Sequence, residues 1–170
     1  MEIKLDAKLM KAVYGLMIFC SAVCLMAVDF RSFWLVGMFM LFGTLAHCTA
    51  WYLDGMKDIN MIIKTSFLLL FSIVFISSVE SFILGYFVFV LWGMIEAALL
   101  FNQKFEAIKA QEGYWIVSAS LICLAVVLDF VACFAHEGVL VALPLIFVAL
   151  ALVFEYCEQF LPKVSVRIMK

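Results

Sequence analysis

Residues 33–53 read FWLVGMFMLFGTLAHCTAWYL, a stretch that contains no Asp, Glu, Lys or Arg. A helix needs about 20 mostly apolar residues to cross the hydrocarbon core of a bilayer. The stretch therefore predicts a transmembrane helix. Other stretches of the chain have the same character, and the six predicted spans cover residues 12–28, 33–53, 61–79, 82–101, 115–134 and 138–157.

The composition of the whole chain points the same way. Of 170 residues, 68% are hydrophobic and 14% are charged, and the mean hydropathy is +1.20. A soluble domain is about half apolar and a quarter charged, and one of this size leaves much of its surface in water. The composition excludes a soluble fold and predicts a single integral membrane domain over residues 1–170 whose partner is the lipid bilayer. We expect the first span to be retained, because residues 12–28 lack the small-x-small pattern of a signal-peptide cleavage site.

The basic residues occupy alternate breaks between the predicted spans. Ten of the eleven Lys and Arg residues lie in the N-terminal segment, in the second loop or at the adjoining helix edge (Lys64), in the fourth loop and in the C-terminal tail: Lys4, Lys8, Lys11, Lys57, Lys64, Lys104, Lys109, Lys163, Arg167 and Lys170. Among basic residues, the first, third and fifth loops together contain Lys or Arg only at Arg31. Positive charge is retained on the cytoplasmic side of a membrane. The alternation therefore predicts a multi-pass membrane protein with both termini in the cytoplasm.

The spans also show signs of an internal repeat. Residues 31–35 (RSFWL) and 80–84 (ESFIL) each open the second helix of a pair, and Gly43 and Gly93 follow at nearly the same depth. Residues 28–30 (VDF) and 128–130 (LDF) each end a first helix. The period of about 50 residues predicts three tandem helical hairpins. Because a two-helix unit keeps its orientation from copy to copy, we expect an all-α bundle with pseudo-threefold symmetry about the membrane normal.

Three tandem hairpins with cytoplasmic termini resemble the HdeD-like membrane proteins of bacteria. The mid-helix glycines of that family are matched by Gly43 and Gly93, and its Gly-aromatic-Trp stretch at the fifth helix is matched by residues 113–115 (GYW). At the first outer turn, residues 29–31 (DFR) stand where the family often has a proline. The resemblance implies a non-enzymatic role in tolerance of acid or other envelope stress, and it offers no catalytic residues.

Three ionisable residues lie within the even-numbered predicted helices at comparable depths: His47, Glu96 and Glu155. Ionisable groups inside a membrane are rare and often functional. If these three face inward, they form a polar cluster open to the cytoplasm, in which a carboxyl group and a neighbouring imidazole could share a proton. Such a cluster suits proton sensing or transfer. The alternative is that each side chain reaches the headgroup region near the end of its helix.

A second candidate site is an acidic outer face at the three exterior turns, formed by Asp29, Glu80, Asp129, His136 and Glu137. Crowded carboxylates and a histidine would gain protons in mildly acid surroundings, which suits a periplasmic pH sensor. The alternative is that turns need polar residues, and acidic residues are tolerated outside the membrane where Lys and Arg are not.

The sequence predicts no catalytic, cofactor or metal site. Cys20 and Cys24 lie one turn apart on the first helix, but no second pair of Cys or His residues accompanies them. The chain has no phosphate-binding loop, nucleophile elbow or zinc-protease helix, and its basic residues form no patch suited to nucleic acid.

Two hypotheses for the function follow. The first is a non-enzymatic membrane protein that supports stress tolerance, alone or with other membrane proteins. The second is a small transporter or channel, forming a homo-oligomer, that passes protons or a small solute. A water-filled cavity that reaches Glu96 and His47 from the cytoplasm would favour transport, whereas a dry core packed with Phe and Leu would favour a structural or sensing role.

Overall fold

The computed structural model of the chain describes residues 6–27, 33–55, 60–77, 82–110, 112–134 and 138–161. These residues form six α-helices and no strand. The helices are α1 (Ala7–Ala27), α2 (Phe33–Leu53), α3 (Asn60–Ile76), α4 (Phe82–Ala110), α5 (Trp115–Ala132) and α6 (Gly138–Glu158). The predicted all-α class is confirmed.

Five of these helices, all except α3, are long and apolar enough to cross a membrane. The helix α3 has 17 residues, which at 1.5 Å per residue gives it a length of roughly 25 Å. That length is near the lower limit for a spanning helix. The bundle is thus that of a multi-pass helical membrane protein, and the sixth span stays a prediction.

The sequence-based prediction of a fourth loop over residues 102–113 is wrong for most of its length. The helix α4 continues through this region to Ala110 and has 29 residues. Residues 102–110 (NQKFEAIKA) are rich in Gln, Lys, Glu and Ala, which favour helix without being apolar. The apolar composition therefore ends before the helical backbone does. At its N-terminal side, α1 likewise extends beyond the predicted apolar span, because it begins at Ala7 rather than at residue 12.

The helices α1, α2 and α6 form one side of the bundle, with α1 packed against both others, and α2 also packs against α3. The helix α5 packs between α6 and α4. The backbones of α3 and α4 approach each other less closely than those of the other neighbouring helices, and large side chains bridge them, such as the rings of Phe75 and Phe89 with centroids 5.0 Å apart. The predicted pseudo-threefold arrangement of three hairpins stays a prediction.

Glycines mark the closest approaches between helices. A Cβ added to Gly15 of α1 would lie 3.0 Å from the Cβ of Leu152 on α6. A Cβ added to Gly37 of α2 would lie 2.8 Å from the backbone nitrogen of Ile76 on α3. Small residues at these positions let the helix backbones approach, as is common among transmembrane helices.

Apolar side chains fill the interior and also cover much of the outside. Ile18, Met40 and Phe75 are fully buried in the core. Large apolar side chains such as Leu70 of α3 and Val127 of α5 are more than half exposed. A soluble protein would expose few such residues in contiguous patches, whereas lipid solvates them.

Candidate functional site

The carboxylate of Glu96 on α4 is the centre of a buried polar cluster. Its side chain accepts a hydrogen bond from Nζ of Lys64 on α3, with a distance of 2.7 Å to Oε2. The hydroxyl group of Tyr14 on α1 donates to Oε1 of the same carboxylate. Trp92, one turn earlier on α4, donates from Nε1 to Oε1 at 3.2 Å. Side chains from α1, α3 and α4 therefore meet at one carboxylate.

The ring of Tyr14 connects this carboxylate to α2. Nζ of Lys64 lies 4.6 Å from the centroid of the tyrosine ring, in the geometry of a cation–π contact. The ring of His47 on α2 also contacts the ring of Tyr14, with centroids 5.0 Å apart and an interplanar angle of 42°. Gly43, one turn before His47, leaves space for the tyrosine, because a Cβ there would lie 3.3 Å from Cδ2 of Tyr14.

We call Tyr14, His47, Lys64, Trp92 and Glu96 the inner polar cluster. Its charged members are almost completely enclosed, since the side chains of Lys64 and Glu96 are 7% and 3% exposed. A charge inside a bilayer is costly unless it is paired and its remaining hydrogen bonds are satisfied. The ammonium group neutralises the carboxylate, and the tyrosine and indole donors occupy its Oε1. The cluster thus holds an ion pair within the membrane-spanning bundle.

A cavity of about 350 Å³ reaches this cluster from the end of the bundle where α2 ends. Its lining consists of Lys11, His47, Ala50, Trp51, Asp54, Met61 and Gln103. The volume corresponds to roughly ten water molecules at the density of the liquid. At its rim, Nζ of Lys11 lies 3.0 Å from Oδ2 of Asp54, whose side chain is about half exposed.

His47 belongs to both the cavity and the cluster. It lines the cavity and packs on Tyr14, and its own side chain is buried. Its Nε2 atom has no hydrogen-bond partner among the residues that the structure describes. The cavity therefore ends at a group that can bind or release a proton.

The structure brings together two of the three residues of the predicted inward-facing cluster. His47 and Glu96 are both buried and both contact Tyr14. Glu155 lies apart from them, near the C-terminal end of α6, where its carboxylate is 3.4 Å from Nζ of Lys104. Lys104 is eight residues beyond Glu96, which corresponds to roughly 12 Å along α4. Glu155 on α6 therefore pairs with Lys104 on α4 at the end of the bundle and is not part of the inner polar cluster.

The predicted acidic outer face is wrong for Asp129. Its side chain is not at an exposed turn but is buried against α4, where a Cβ on Gly93 would lie 2.5 Å from its Oδ1. The pattern of the sequence had placed it there because it is close to the end of α5. The other members of that predicted face, Asp29, Glu80, His136 and Glu137, lie outside the described residues.

The sequence did not predict three members of the inner polar cluster, Tyr14, Lys64 and Trp92. Lys64 was predicted to lie at the cytoplasmic edge of its helix, but it is buried and paired with Glu96. A signal was present: one lysine in the otherwise uncharged residues 61–76 could have been matched with the one acidic residue in residues 82–101. Tyr14 carried no such signal, because an aromatic residue in an apolar helix is common.

Metal ligation has no support among the described residues, where no three His, Cys, Asp or Glu side chains come together as ligands would. The six cysteines all have free thiols, and three of them, Cys123, Cys133 and Cys157, are exposed on the outside of the bundle.

Apolar helices around a buried ion pair, with a cavity that reaches His47 of the same cluster from one end, define a polytopic membrane protein with an internal polar site. A scan against models of known protein families finds no match, and searches of curated proteins and of solved structures find none either.

Proposed function

We propose that this protein transfers protons, alone or together with a small solute, across a bacterial inner membrane. The observation that carries the proposal is the position of His47, which lines the cavity and packs on Tyr14, whose hydroxyl group donates to Glu96. Titratable groups thus follow one another from the cavity to the middle of the bundle. Chains of Glu, His and Asp residues inside membranes are typical of proton relays in pumps and transporters.

The energetics of the ion pair support a functional role. Replacing a buried ion pair by apolar residues of similar volume is often neutral or even stabilising. Leucine or methionine at positions 64 and 96 would therefore stabilise the fold about as well as Lys64 and Glu96 do. A group that can change its protonation state has to be ionisable, and this requirement explains why charges stand here.

The far side of the cluster is closed by apolar packing. Ile18 lies one turn beyond Tyr14 on α1, and Met40 and Phe75 lie further along α2 and α3; all three side chains are fully buried. The described part of the bundle thus has a cavity on one side of the cluster and mainly apolar side chains on the other. This arrangement favours gated transfer over a continuous water-filled pore.

The distribution of Lys and Arg supports an orientation with both termini and the cavity on the cytoplasmic side. Lys64 no longer counts toward that distribution because it is buried, but Lys57 remains in the second loop. The cavity would accordingly collect protons or solute from the cytoplasm.

Proton flux into vesicles tests the proposal. The purified protein is reconstituted into phospholipid vesicles that contain a pH-sensitive dye, and a pH gradient is applied with valinomycin and potassium present to compensate charge. We expect the wild type to dissipate the gradient faster than empty vesicles and Glu96→Gln to reduce that rate at least tenfold. The matched control is Glu155→Gln, which removes a partly exposed carboxylate and should keep the wild-type rate.

The result that would overturn the proposal is a wild-type rate equal to that of empty vesicles, or a Glu96→Gln rate equal to the wild-type rate. Size-exclusion chromatography and circular dichroism establish that both variants are folded, so that a lost rate reports on the site.

We also propose that this activity contributes to tolerance of acid or envelope stress, the role that the resemblance to HdeD-like proteins implies. The same pair of variants tests the role in cells. Survival after acid shock should fall with Glu96→Gln and with His47→Ala, and it should not fall with Glu155→Gln. Unchanged survival in all three strains would separate the protein from acid tolerance.

A further inference from the structure

A second carboxyl group lies inside the bundle and takes no part in the inner polar cluster. Asp129 is on α5, three residues before the end of the helix, and it is 2% exposed. Neither of its carboxyl oxygens has a hydrogen-bond partner among the described residues. An unpaired carboxyl group at this degree of burial needs an explanation.

The carboxyl group of Asp129 lies against the backbone of α4 at Gly93. A Cβ added to Gly93 would lie 2.5 Å from Oδ1 and 2.9 Å from Oδ2 of Asp129, so a larger residue at position 93 would displace the carboxyl group. Gly93 is three residues before Glu96, which places Asp129 roughly 4.5 Å further along the axis of α4, toward its Phe82 end. The carboxyl group is thus about one turn beyond the inner polar cluster, on the side away from the cavity.

Among the residues that the structure describes, the helices packed on α5 supply no cation to balance a carboxylate at Asp129. The helices that pack most extensively against α5 are α4 and α6. The helix α6 contains no Lys or Arg, and its only carboxylates, Glu155 and Glu158, are at its opposite end. On α4, the nearest ionisable group along the chain is Glu96, whose charge is already matched by Lys64.

The missing partner is best supplied by a proton. An ionised carboxylate without a partner in an apolar interior is far more costly than the neutral acid. A hard metal cation such as Ca²⁺ needs six to eight oxygen ligands at roughly 2.3–2.6 Å, and the described residues assemble no such group around Asp129.

We propose that Asp129 is a proton-binding site on the far side of the inner polar cluster, so that protons pass between Glu96 and Asp129 on their way through the bundle. The inference rests on the proposed proton transfer. In one direction, a proton leaves the cluster and binds the Asp129 carboxylate, and its release at the far face regenerates the carboxylate. Gly93 is the positioning residue, because it leaves the space in which the carboxyl group lies.

The test uses the full-length protein in phospholipid vesicles and dicyclohexylcarbodiimide, an apolar reagent that converts protonated carboxyl groups in membranes to N-acylureas. We expect peptide mass spectrometry to find the adduct on Asp129 and the labelled protein to lose proton flux. Asp129→Asn, which keeps the shape of the side chain, should reduce the flux at least tenfold. Asp129→Glu should restore a measurable fraction of it, and Glu155→Gln should change neither labelling nor flux.

The outcomes separate this inference from the proposed function. If Asp129→Asn keeps the wild-type flux while Glu96→Gln loses it, Asp129 has no part in the transfer and the proposed function stands. If both variants keep the flux, both proposals fail. A wild-type protein that shows no adduct on Asp129 also overturns the inference, and this measurement decides the matter even if the asparagine variant does not fold.

Discussion

Removing one charge of the buried ion pair should destabilise the protein much more than removing both. The three variants are Lys64→Met, Glu96→Gln and the double variant. Nζ of Lys64 and Oε2 of Glu96 are 2.7 Å apart, and the two side chains are 7% and 3% exposed. Water therefore cannot solvate the charge that a single substitution leaves behind. We expect each single variant to lose about 3 kcal/mol, the lower end of the range for breaking a buried pair.

The double variant should recover most of this loss. Methionine fills the space of the lysine stem beside Tyr14, and the glutamine carbonyl can still accept the hydrogen bonds that Tyr14 and Trp92 donate. Because no unpaired charge remains, we expect the double variant to lie within about 1 kcal/mol of the wild type. If the two sites were independent, the losses would add to about 6 kcal/mol.

The assay is reversible unfolding in mixed detergent micelles with increasing sodium dodecyl sulfate, followed by circular dichroism. The pair of Lys104 and Glu155 is the control, since its atoms are 3.4 Å apart and its side chains are 18% and 21% exposed. Lys104→Met should cost less than about 1 kcal/mol, as partly exposed pairs do. The reasoning is refuted if the single variants of the buried pair are as mild as this control, or if the double variant shows the sum of the single losses.

Two glycine substitutions follow from the close contacts of the backbone, and both can be measured in the same unfolding assay. Gly37→Ala should cost about 1–3 kcal/mol by overpacking, because its methyl group would lie 2.8 Å from the backbone nitrogen of Ile76, which cannot move aside alone. Gly113→Ala should cost about 1–3 kcal/mol, since the residue has a φ of +59° and its methyl group would lie 2.5 Å from Oε1 of Glu158. Gly43→Ala, whose neighbours are side chains at 3.2 Å or more, serves as the milder control; equal losses in all three variants would contradict the reasoning.

The helices could be predicted better than their ends. The apolar stretch of residues 33–53 coincides with α2, because both ends of that helix also end the apolar composition. The end of α4 was missed because the helix continues beyond the apolar region, where Lys104 pairs with Glu155 and residues of high helix propensity follow. Hydropathy reports where a helix leaves lipid, and that point need not be where the helix ends.

The candidate site was only half predictable for a related reason. His47 and Glu96 stood out because ionisable residues are rare in apolar stretches, and both are indeed buried in the bundle. Glu155 had the same appearance, but it pairs with Lys104 at the end of the bundle. Depth along a helix can be read from the sequence, whereas the direction of a side chain around the helix depends on which neighbours pack against it.

The amino-acid sequence by itself determined that this is an all-α membrane protein, because insertion into lipid depends on about 20 consecutive residues at a time and needs no partner elsewhere in the chain. Residues 33–53 showed this without any other part of the molecule. Only the tertiary structure decided that Lys64 and Tyr14, which are 32 and 82 positions away from Glu96 in the sequence, contact its carboxylate. It also decided that the side chain of Asp129 lies inward against Gly93. Those contacts depend on the rotation and spacing of packed helices, which arise from many side chains together and leave no local pattern in the sequence.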